Sequence, residues 1–600
     1  MRTTVGRLLI NEVLPNEYAS QTRVLDKKGT KELLHNIFVT HPDKYREIAH
    51  KLSELGREVS YRQGSSISLD ALKAVEERDK IVNRIKDKVE RIASDVLMTP
   101  EERRKSVEEA IGDDVLTLQG RLYDAMLAKG NPFAVQVMSG SRGNKSQLAA
   151  MTGAMLLTPE ADGKPSSIPI LHSFAEGLDP AEYWATTYGA RQGLVDTKFQ
   201  TQDAGYLGKQ LAMAAHKLVV TEKDCNTSGG ILVPSKDQDS VGATLAKDTG
   251  EYRAGTVLTP SKLKELSRTD KNIFIRSPIT CQAKSGLCQK CVGVRERGGF
   301  PPIGDNVGVT AATALAEKLS QGMLSAKHSS TGGNAVSGFE YINSLSQIPK
   351  NFPGGATAAT VDGRVSKVEE APQGGYYVFI GTEQHYVGPG RDVAVEKGDE
   401  VEAGDMLSTG IPNPADIVRY KGIGEGRRYF SEQFKKAFEE SNQYANRRNT
   451  ELMARALINH VRITEPDGGV GSFQGDVAEF DNLAAEYEPR YGSISMTPSR
   501  AQDRYLERPV LHYSIGTRIT KRIAKRLKDA GYNNVLVHAE QPSFVPEMHR
   551  ALDSMSLSPD WLVQQGGFYT KRSLLKSVQQ GASSSLEGTS HVPKMVAGIL

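Results

Sequence analysis

Cysteine and tryptophan are scarce in this chain, four and two among 600 residues, and charge nearly cancels, with 75 lysines and arginines against 72 aspartates and glutamates. So few cysteines exclude a disulfide framework and predict a reducing, cytoplasmic setting. The near-neutral balance, formally +3 at pH 7, excludes a global cationic field, so contact with nucleic acid must come from local basic patches. Long hydrophobic runs are missing as well. No segment is long enough to cross a bilayer, and Met1-Arg2-Thr3-Thr4-Val5-Gly6-Arg7 has no apolar signal core, which predicts a protein neither exported nor membrane-spanning. No internal repeat or long low-complexity tract is visible, Ser583-Ser584-Ser585 being too short to count. What is present, 38% hydrophobic and 24% charged residues, is the composition of a globular chain with room for several domains.

All four cysteines fall on one metal-ligand pattern. Cys225 stands alone upstream, and Cys281, Cys288 and Cys291 follow as Cys-x6-Cys-x2-Cys. The x2 spacing lets two thiolates reach one tetrahedral ion from a tight turn, while Cys281 and the distant Cys225 close the remaining vertices and pin separate segments together. One structural zinc is expected.

Upstream, residues from about Ala71 to Lys129 show helical periodicity with dense mixed charge, interrupted at Thr99-Pro100-Glu101-Glu102, a helix start with a capping threonine and proline at the first position. This predicts an antiparallel helical hairpin. Ile111-Gly112-Asp113-Asp114 lies inside it without flanking strands and is assigned no catalytic role. The loop Met138-Ser139-Gly140-Ser141-Arg142-Gly143-Asn144-Lys145 sets Arg142 between glycines, where it can approach a phosphate. From Asp179-Pro180 to about Asp224 no further proline occurs, which predicts a helix well beyond the average of roughly 11 to 12 residues. Gly189, Gly193, Gly205 and Gly208 lie in it, each costing about 1 kcal/mol relative to alanine in a helix interior. They serve close approach of another backbone or of nucleic acid, local bending, or ordinary packing. Gly205-Tyr206-Leu207-Gly208-Lys209 lacks the full phosphate-loop spacing.

Thr187-Tyr188-Gly189-Ala190-Arg191-Gln192-Gly193-Leu194-Val195-Asp196-Thr197, with Ala204-Gly205-Tyr206-Leu207 and Leu218-Val219-Val220-Thr221-Glu222-Lys223-Asp224-Cys225, resembles the bridge helix of the β′ subunit of multisubunit DNA-dependent RNA polymerases. Ile275-Arg276-Ser277-Pro278-Ile279-Thr280-Cys281 through Cys288-Gln289-Lys290-Cys291 resembles that subunit's second zinc module. Thr3 to Arg7, Leu14-Pro15, Gly64-Ser65-Ser66 with Asp70, Ser139 to Gly143, Gly398 to Asp405, Asp560-Trp561-Leu562 and Phe568 continue the match in family order. The resemblance implies a mixed α+β, multidomain fold. Its parts are a channel-entrance region (1–68), a rim helical hairpin (69–130), a loop and helix region behind the active site (131–178), the bridge helix (179–224), the zinc-binding module (225–304), the trigger loop and its helices (305–352), a small β-barrel or sandwich (353–412), a helical region (413–463) and a C-terminal jaw or clamp region (464–600).

Within 309–333, Glu317, Gln321, Leu324 and His328 match family positions. Leu324 and His328 are four apart and share one face of a helix. The resemblance implies that Leu324 stacks on the incoming base and that His328, with an ordinary pKa near 6.5, acts as proton donor or positional cation at the pyrophosphate leaving group. Ser329-Ser330-Thr331-Gly332-Gly333 supplies the flexible tip. Candidate substrate and nucleic-acid contacts are Arg142, Arg191, Thr197, Thr201, Tyr206, Glu317 and Lys327. Cellular enzymes usually carry Arg and Phe where Ser325 and Lys327 stand here, and Pro where Lys318 stands; Gln192 and Gln200 replace residues that are commonly basic.

The family's catalytic aspartates lie in an Asn-Ala-Asp-Phe-Asp-Gly-Asp motif, and no Asp-x-Asp-x-Asp occurs here; Asp237-Gln238-Asp239 comes nearest and reads as a solvated turn. The active-site Mg²⁺ is therefore expected mainly on a companion chain, and this chain is not expected to be active alone. The implied protein is the C-terminal part of a split β′, working with an N-terminal β′-like chain, β-like chains and an initiation factor on DNA template, RNA transcript and nucleoside triphosphates. A large DNA phage is the preferred source, which places it in the bacterial host cytoplasm and leaves virion packaging open. The alternative is a catalytically silent, zinc-stabilised nucleic-acid- or polymerase-binding module derived from β′. Finally, Ile519, Ile523 and Leu527 recur at helical spacing with Arg518, Lys521, Arg522, Lys525, Arg526 and Lys528 around them, Thr517 as cap and Gly531 as stop. That basic helix, 517–530, either tracks downstream DNA phosphates or is simply solvated.

Overall fold

The computed structural model describes residues 3–64, 66–73, 76–95, 97–158, 166, 168–195, 201–296, 298–326, 338–440, 443–466, 473–557, 564, 575 and 578–581. They fall into two compact units, Met1–Asp196 and Thr197–Leu600, and the fold is mixed α+β, with many helices and several small sheets. No described helix is long and apolar enough to cross a membrane.

The first unit is helical: α1 (Val5–Val13), α2 (Lys27–Thr40), α3 (Tyr45–Gln63), α4 (Glu76–Ser94), α5 (Pro100–Ala128), α6 (Pro132–Ser139), α7 (Lys145–Thr152) and α8 (Pro180–Val195). Helix α5 starts where the sequence places a start. Thr99 accepts from the Glu102 N–H, the Glu102 carboxylate accepts from the Thr99 N–H at 2.9 Å, and Pro100 fills the first helical position. Ile81, Val82 and Ile85 of α4 pack on Val107, Ile111 and Leu118 of α5, one apolar stripe on each helix. Asp114, 6% exposed, accepts from Arg84 and, at 2.7 Å, from Lys88, whose ammonium also reaches the Ala110 carbonyl. Partners that descend on one helix as they rise on the other make the pair antiparallel. The second aspartate of the Gly-Asp-Asp triplet is thus a tie across a hairpin.

The second unit contains α9 (Thr201–Ala214), α10 (Pro260–Thr269), α11 (Gln289–Val292), α12 (Val307–Ala326), α13 (Gly338–Gln347), α14 (Pro414–Glu440, broken at Gly422), α15 (Arg447–Leu457), α16 (Phe480–Glu486), α17 (Lys521–Asp529) and α18 (Ala551–Leu557). Near the cysteines, β1 (Val220–Glu222) pairs in parallel with β4 (Leu287–Cys288), and β2 (Ile231–Pro234) pairs antiparallel with β3 (Asn272–Ile275). An antiparallel sheet of order β7-β6-β5-β8 is built from β5 (Gly363–Glu370), β6 (Tyr376–Ile380), β7 (Glu383–Val387) and β8 (Glu400–Val401), over a core of Val365, Val378, Ile380, Val387 and Leu407. Two three-stranded sheets follow from β9 (His460–Ile463), β10 (Val477–Glu479), β11 (Ile494–Met496), β12 (Tyr505–Leu506), β13 (Val535–His538) and β14 (Phe544–Glu547), in the orders β10-β9-β14 and β11-β13-β12.

Three sequence expectations change. The helix predicted to run from Asp179 to about Asp224 is described as α8 and α9, and it stops at Ala214; the β-branched run Val219-Val220-Thr221 favours the extended chain that becomes β1. The helical region expected over 413–463 gives way at His460, where Val461 and Ile463 enter a central strand. The basic helix starts later than expected. Thr520, whose hydroxyl accepts from the Ile523 N–H, is its cap, while Thr517 lies against Gly422 at the break in α14.

Candidate metal centre and the helix pair beside it

The parallel pairing of β1 with β4 brings Cys225, just past one strand, beside Cys288 at the end of the other, and α11 then turns Cys291 back toward both. Gly286 makes that approach feasible: its φ is +62°, and a Cβ there would lie 2.1 Å from the Val219 carbonyl oxygen. All four sulfurs lie within 4.8 Å of one another. The Cys225 sulfur is 3.8 Å from those of Cys281 and Cys291. A tetrahedron with metal–sulfur bonds of about 2.3 Å has edges of about 3.8 Å, so the cluster has the size of a tetrathiolate zinc site, and all four thiols are free of disulfides.

The surroundings have the complementary charge. Arg276, 7% exposed, directs one guanidinium nitrogen at the sulfurs of Cys225 (3.1 Å), Cys291 (3.4 Å) and Cys288 (3.5 Å). Its other terminal nitrogen donates to Asp224 at 2.6 Å, and Lys290 takes the second oxygen of that carboxylate at 2.6 Å. Arg455, 2% exposed, donates to the carbonyls of Pro278 and Cys281, and it shares Asp481 with Arg427, each at 3.0 Å. Four cations therefore meet two carboxylates. The excess, two positive charges, balances the net charge of zinc bound to four thiolates. Burial pushes the Cys291 thiol up, whereas hydrogen bonds from the other three thiols pull that of Cys225 down. Such a cluster requires a cation to bring all four sulfurs to the thiolate form.

Helices α9 and α12 lie beside this centre in the same hydrophobic core. Ala204, Leu207, Leu211 and Ala215 form one buried stripe, packed with Ala311, Ala312, Leu315 and Leu319 and with the buried cysteines. Of the two glycines on α9, Gly208 is the point of close approach: a Cβ there would stand 2.6 Å from the Ala316 Cβ, whereas one at Gly205 would meet open space. Tyr206 is 42% exposed on the same helix. Gly205 to Lys209 is helical, which excludes a phosphate loop at that point.

On α12, Glu317 and Gln321 are exposed one turn apart, the Gln321 amide donating to the Glu317 carboxylate at 3.2 Å. Leu324 lies in the last turn of α12. Lys327, His328 and Thr197 lie outside the described residues, and for Thr201 only its helical backbone position is described. In the first unit, Arg142 is exposed between α6 and α7, and Arg191 is exposed on α8.

Asp237-Gln238-Asp239 is not the solvated turn expected. Asp239, 7% exposed, accepts from Lys435 (2.5 Å), Tyr444 and the Arg447 N–H, and Asp237 accepts from Arg447. Both carboxylates anchor α14 and α15, which leaves neither open to a metal. Likewise the cluster of His172, Asp179 and Glu182 is a helix start, the Glu182 carboxylate accepting from the Leu171 and His172 N–H groups and from His172 Nδ1. Sequence reasoning missed Arg276, Asp224 and Arg455 as parts of the metal centre. The only signal for the first two is proximity, Asp224 next to Cys225 and Arg276 five residues before Cys281, and Arg455, far along the chain, offers none.

Residues 177–371, which include the cysteine cluster, α9 and α12, match the protein family described as RNA polymerase Rpb1, domain 5. Across a longer span the chain is similar to the DNA-directed RNA polymerase subunit beta′ of Pelotomaculum thermopropionicum, 30% identical over 523 residues, which covers 80% of this chain and 44% of that subunit. The corresponding subunit of Caldanaerobacter subterraneus subsp. tengcongensis is 27% identical over 81% of this chain and 44% of its own length, and that of Syntrophomonas wolfei 29% identical over 83% and 44%. The chain thus spans about 44% of the length of the curated relatives it matches.

Proposed function

We propose that the chain is the C-terminal β′-like part of a multisubunit DNA-directed RNA polymerase, in which it supplies a bridge helix and a trigger loop for template-directed nucleotidyl transfer. The observation that carries this reading is similarity to β′ subunits along about four fifths of the chain. It is supported by the packing of α9 directly on α12 beside a tetrathiolate cluster. In this reading the cluster holds one structural zinc through Cys225, Cys281, Cys288 and Cys291. Bound there, zinc supplies a rigid junction between the segment leaving α9 and the segment entering α12.

The sequence contains no Asp-x-Asp-x-Asp, and Asp237 and Asp239 are engaged by cations. The aspartates that hold Mg²⁺ are therefore assigned to a β′-like part of the enzyme outside this sequence, which in this reading is a companion chain and together with β-like chains and an initiation factor completes the enzyme on DNA, RNA and nucleoside triphosphates. This chain's own contribution is positional. Gln321 and Leu324 continue α12 toward the incoming nucleotide, and the Leu324 side chain stacks on its base. His328, four residues further along the sequence, donates a proton or a hydrogen bond to the pyrophosphate as it leaves. Thr197, Thr201 and Tyr206 line the nucleotide site, and Arg142, Arg191 and Lys327 face phosphates. Ser325, Lys327 and Lys318 depart from the cellular pattern, and with the lack of a large insertion in the sequence after His328 they favour a large DNA phage as the source.

The test is reconstitution with the copurifying subunits, identified by mass spectrometry. His328→Ala is expected to lower the elongation rate at saturating nucleotide by about 10²-fold, the low end for loss of a general acid. Undiminished elongation would remove the catalytic role, and an assembly with no aspartate cluster in any subunit would remove the whole reading.

A further inference from the structure

The geometry points to Arg276 as the positioning residue of the metal centre, a side chain that sets how tightly the tetrathiolate site retains its ion. The proposal rests on the zinc reading above and deepens it. One terminal nitrogen of this arginine reaches three of the four sulfurs, at 3.1, 3.4 and 3.5 Å. No other side chain shown bonding to the described sulfurs, apart from the cysteines themselves, carries a charge. The remaining donors are the backbone N–H groups of Gln282, Cys288 and Cys291 at 3.4 to 3.5 Å.

Three features fit Arg276 to this task and exclude simple filling of space. It is buried, so its charge interacts with the sulfurs through protein rather than water. Its orientation is fixed by Asp224 at 2.6 Å, and Asp224 is in turn shared with Lys290. That sharing matters: with Lys290 on the second oxygen, the carboxylate is matched without Arg276, and the guanidinium charge is left for the sulfurs. Arg276 also leads out of β3, so the sheet strand that pairs with β2 fixes its backbone.

A donor aimed at several thiolates lowers their electron density and their affinity for protons, which opposes ligand loss. Outer hydrogen-bond partners of metal ligands typically contribute about 10- to 100-fold in metal affinity. Lysine keeps the charge at this place but presents a single point donor in place of a planar fork. The order of retention expected is therefore arginine, then lysine, then glutamine.

The experiment uses the full chain, purified with its metal. Zinc is counted by elemental mass spectrometry, and its release to a chromogenic chelator is followed over time. The wild type is expected to carry one zinc. Arg276→Gln is expected to carry zinc after purification and to release it about 10- to 100-fold faster, with Arg276→Lys intermediate. In the cobalt-substituted chain, Arg276→Gln should shift the sulfur-to-cobalt charge-transfer bands, a signature that loosened packing alone does not produce. Should Arg276→Gln fail to fold, Arg276→Lys and Asp224→Asn carry the test, the latter releasing the guanidinium without touching a sulfur; faster release in both supports the assignment. Release within twofold of wild type in the folded variants, with unshifted bands, overturns it. A wild-type chain without zinc or cobalt binding would instead remove the metal centre itself, a distinct result.

Discussion

Gly208→Ala offers a sign that runs against helix propensity. In the interior of an exposed helix this exchange stabilises by about 1 kcal/mol. Here the new methyl would stand 2.6 Å from the Ala316 Cβ of α12, well inside the 3.5 to 4.0 Å optimum for carbon pairs. The two helices must part by about 1 Å, and overpacking of that kind costs about 1 to 3 kcal/mol. The net expectation is a loss of up to about 2 kcal/mol, confined to the α9–α12 interface. The assay is amide hydrogen exchange, because a chain of two units does not unfold in one step and local opening is the defined quantity. Amides of Leu207, Leu211, Leu315 and Leu319 should exchange up to about 30-fold faster, while those of the β5–β8 sheet stay unchanged. Ala316→Gly on the same chain should restore protection, since it removes the opposing methyl. Slower exchange in Gly208→Ala alone would refute the reasoning and show that the glycine marks flexibility rather than contact.

Two further outcomes follow from the same core. Cys288→Ser should reduce zinc from one per chain toward none and raise exchange throughout residues 220–292, read by elemental analysis and hydrogen exchange on one sample. The His460 imidazole, 4% exposed, is pushed down to about 4 by burial and by neighbouring His549, which burial also lowers. Between that value and about 6.5 the unfolded chain binds a proton that the folded one does not, so stability falls as pH drops through this window, by up to about 3 kcal/mol for His460. Hydrogen exchange of the β9 amides, corrected for the intrinsic rate at pH 4.5 and 7, should show this loss, and His460→Gln should flatten it; an equally steep wild-type and variant profile would refute it.

How much was legible depended on whether the signal was local. The helix start at Thr99, the Cys-x2-Cys turn and the apolar stripe Ile519, Ile523 and Leu527 at α17 each announce themselves within a few residues, because a cap, a turn and a helix face are built from neighbours in sequence. The end of the long helix at Ala214 was missed because absence of proline was taken as continuity, although Val219-Val220-Thr221 already favoured a strand. Asp239 was missed for a different reason. Its partners Lys435, Tyr444 and Arg447 lie about two hundred residues away, and a buried carboxylate with distant cations reads, in sequence, like any solvated turn.

The basic helix shows why charge clusters mislead in the same way. Six cations surround α17, and the pattern invites nucleic acid. Yet Arg518 pairs with Asp362 at 2.7 Å, Arg522 with Asp405 at 2.7 Å and Lys521 with Glu400 at 3.3 Å, all carboxylates of the β5–β8 module, and Arg526 meets the Tyr513 hydroxyl at 3.3 Å. Asp405 is the firmest of these anchors: its burial would raise the carboxyl, but the Glu402 N–H, Lys421 and Arg522 outweigh that and hold it low. Ile523 and Leu527 meanwhile fill the core beneath. The helix therefore has a structural task, to join the β module to the C-terminal sheets, and Lys525 and Lys528 remain on its exposed side for any phosphate. With half of its six cations already matched by carboxylates of that module, α17 offers nucleic acid less than its composition suggests, and the polymerase reading stands on the similarity to β′ subunits, with α9, α12 and the cysteine cluster as its support.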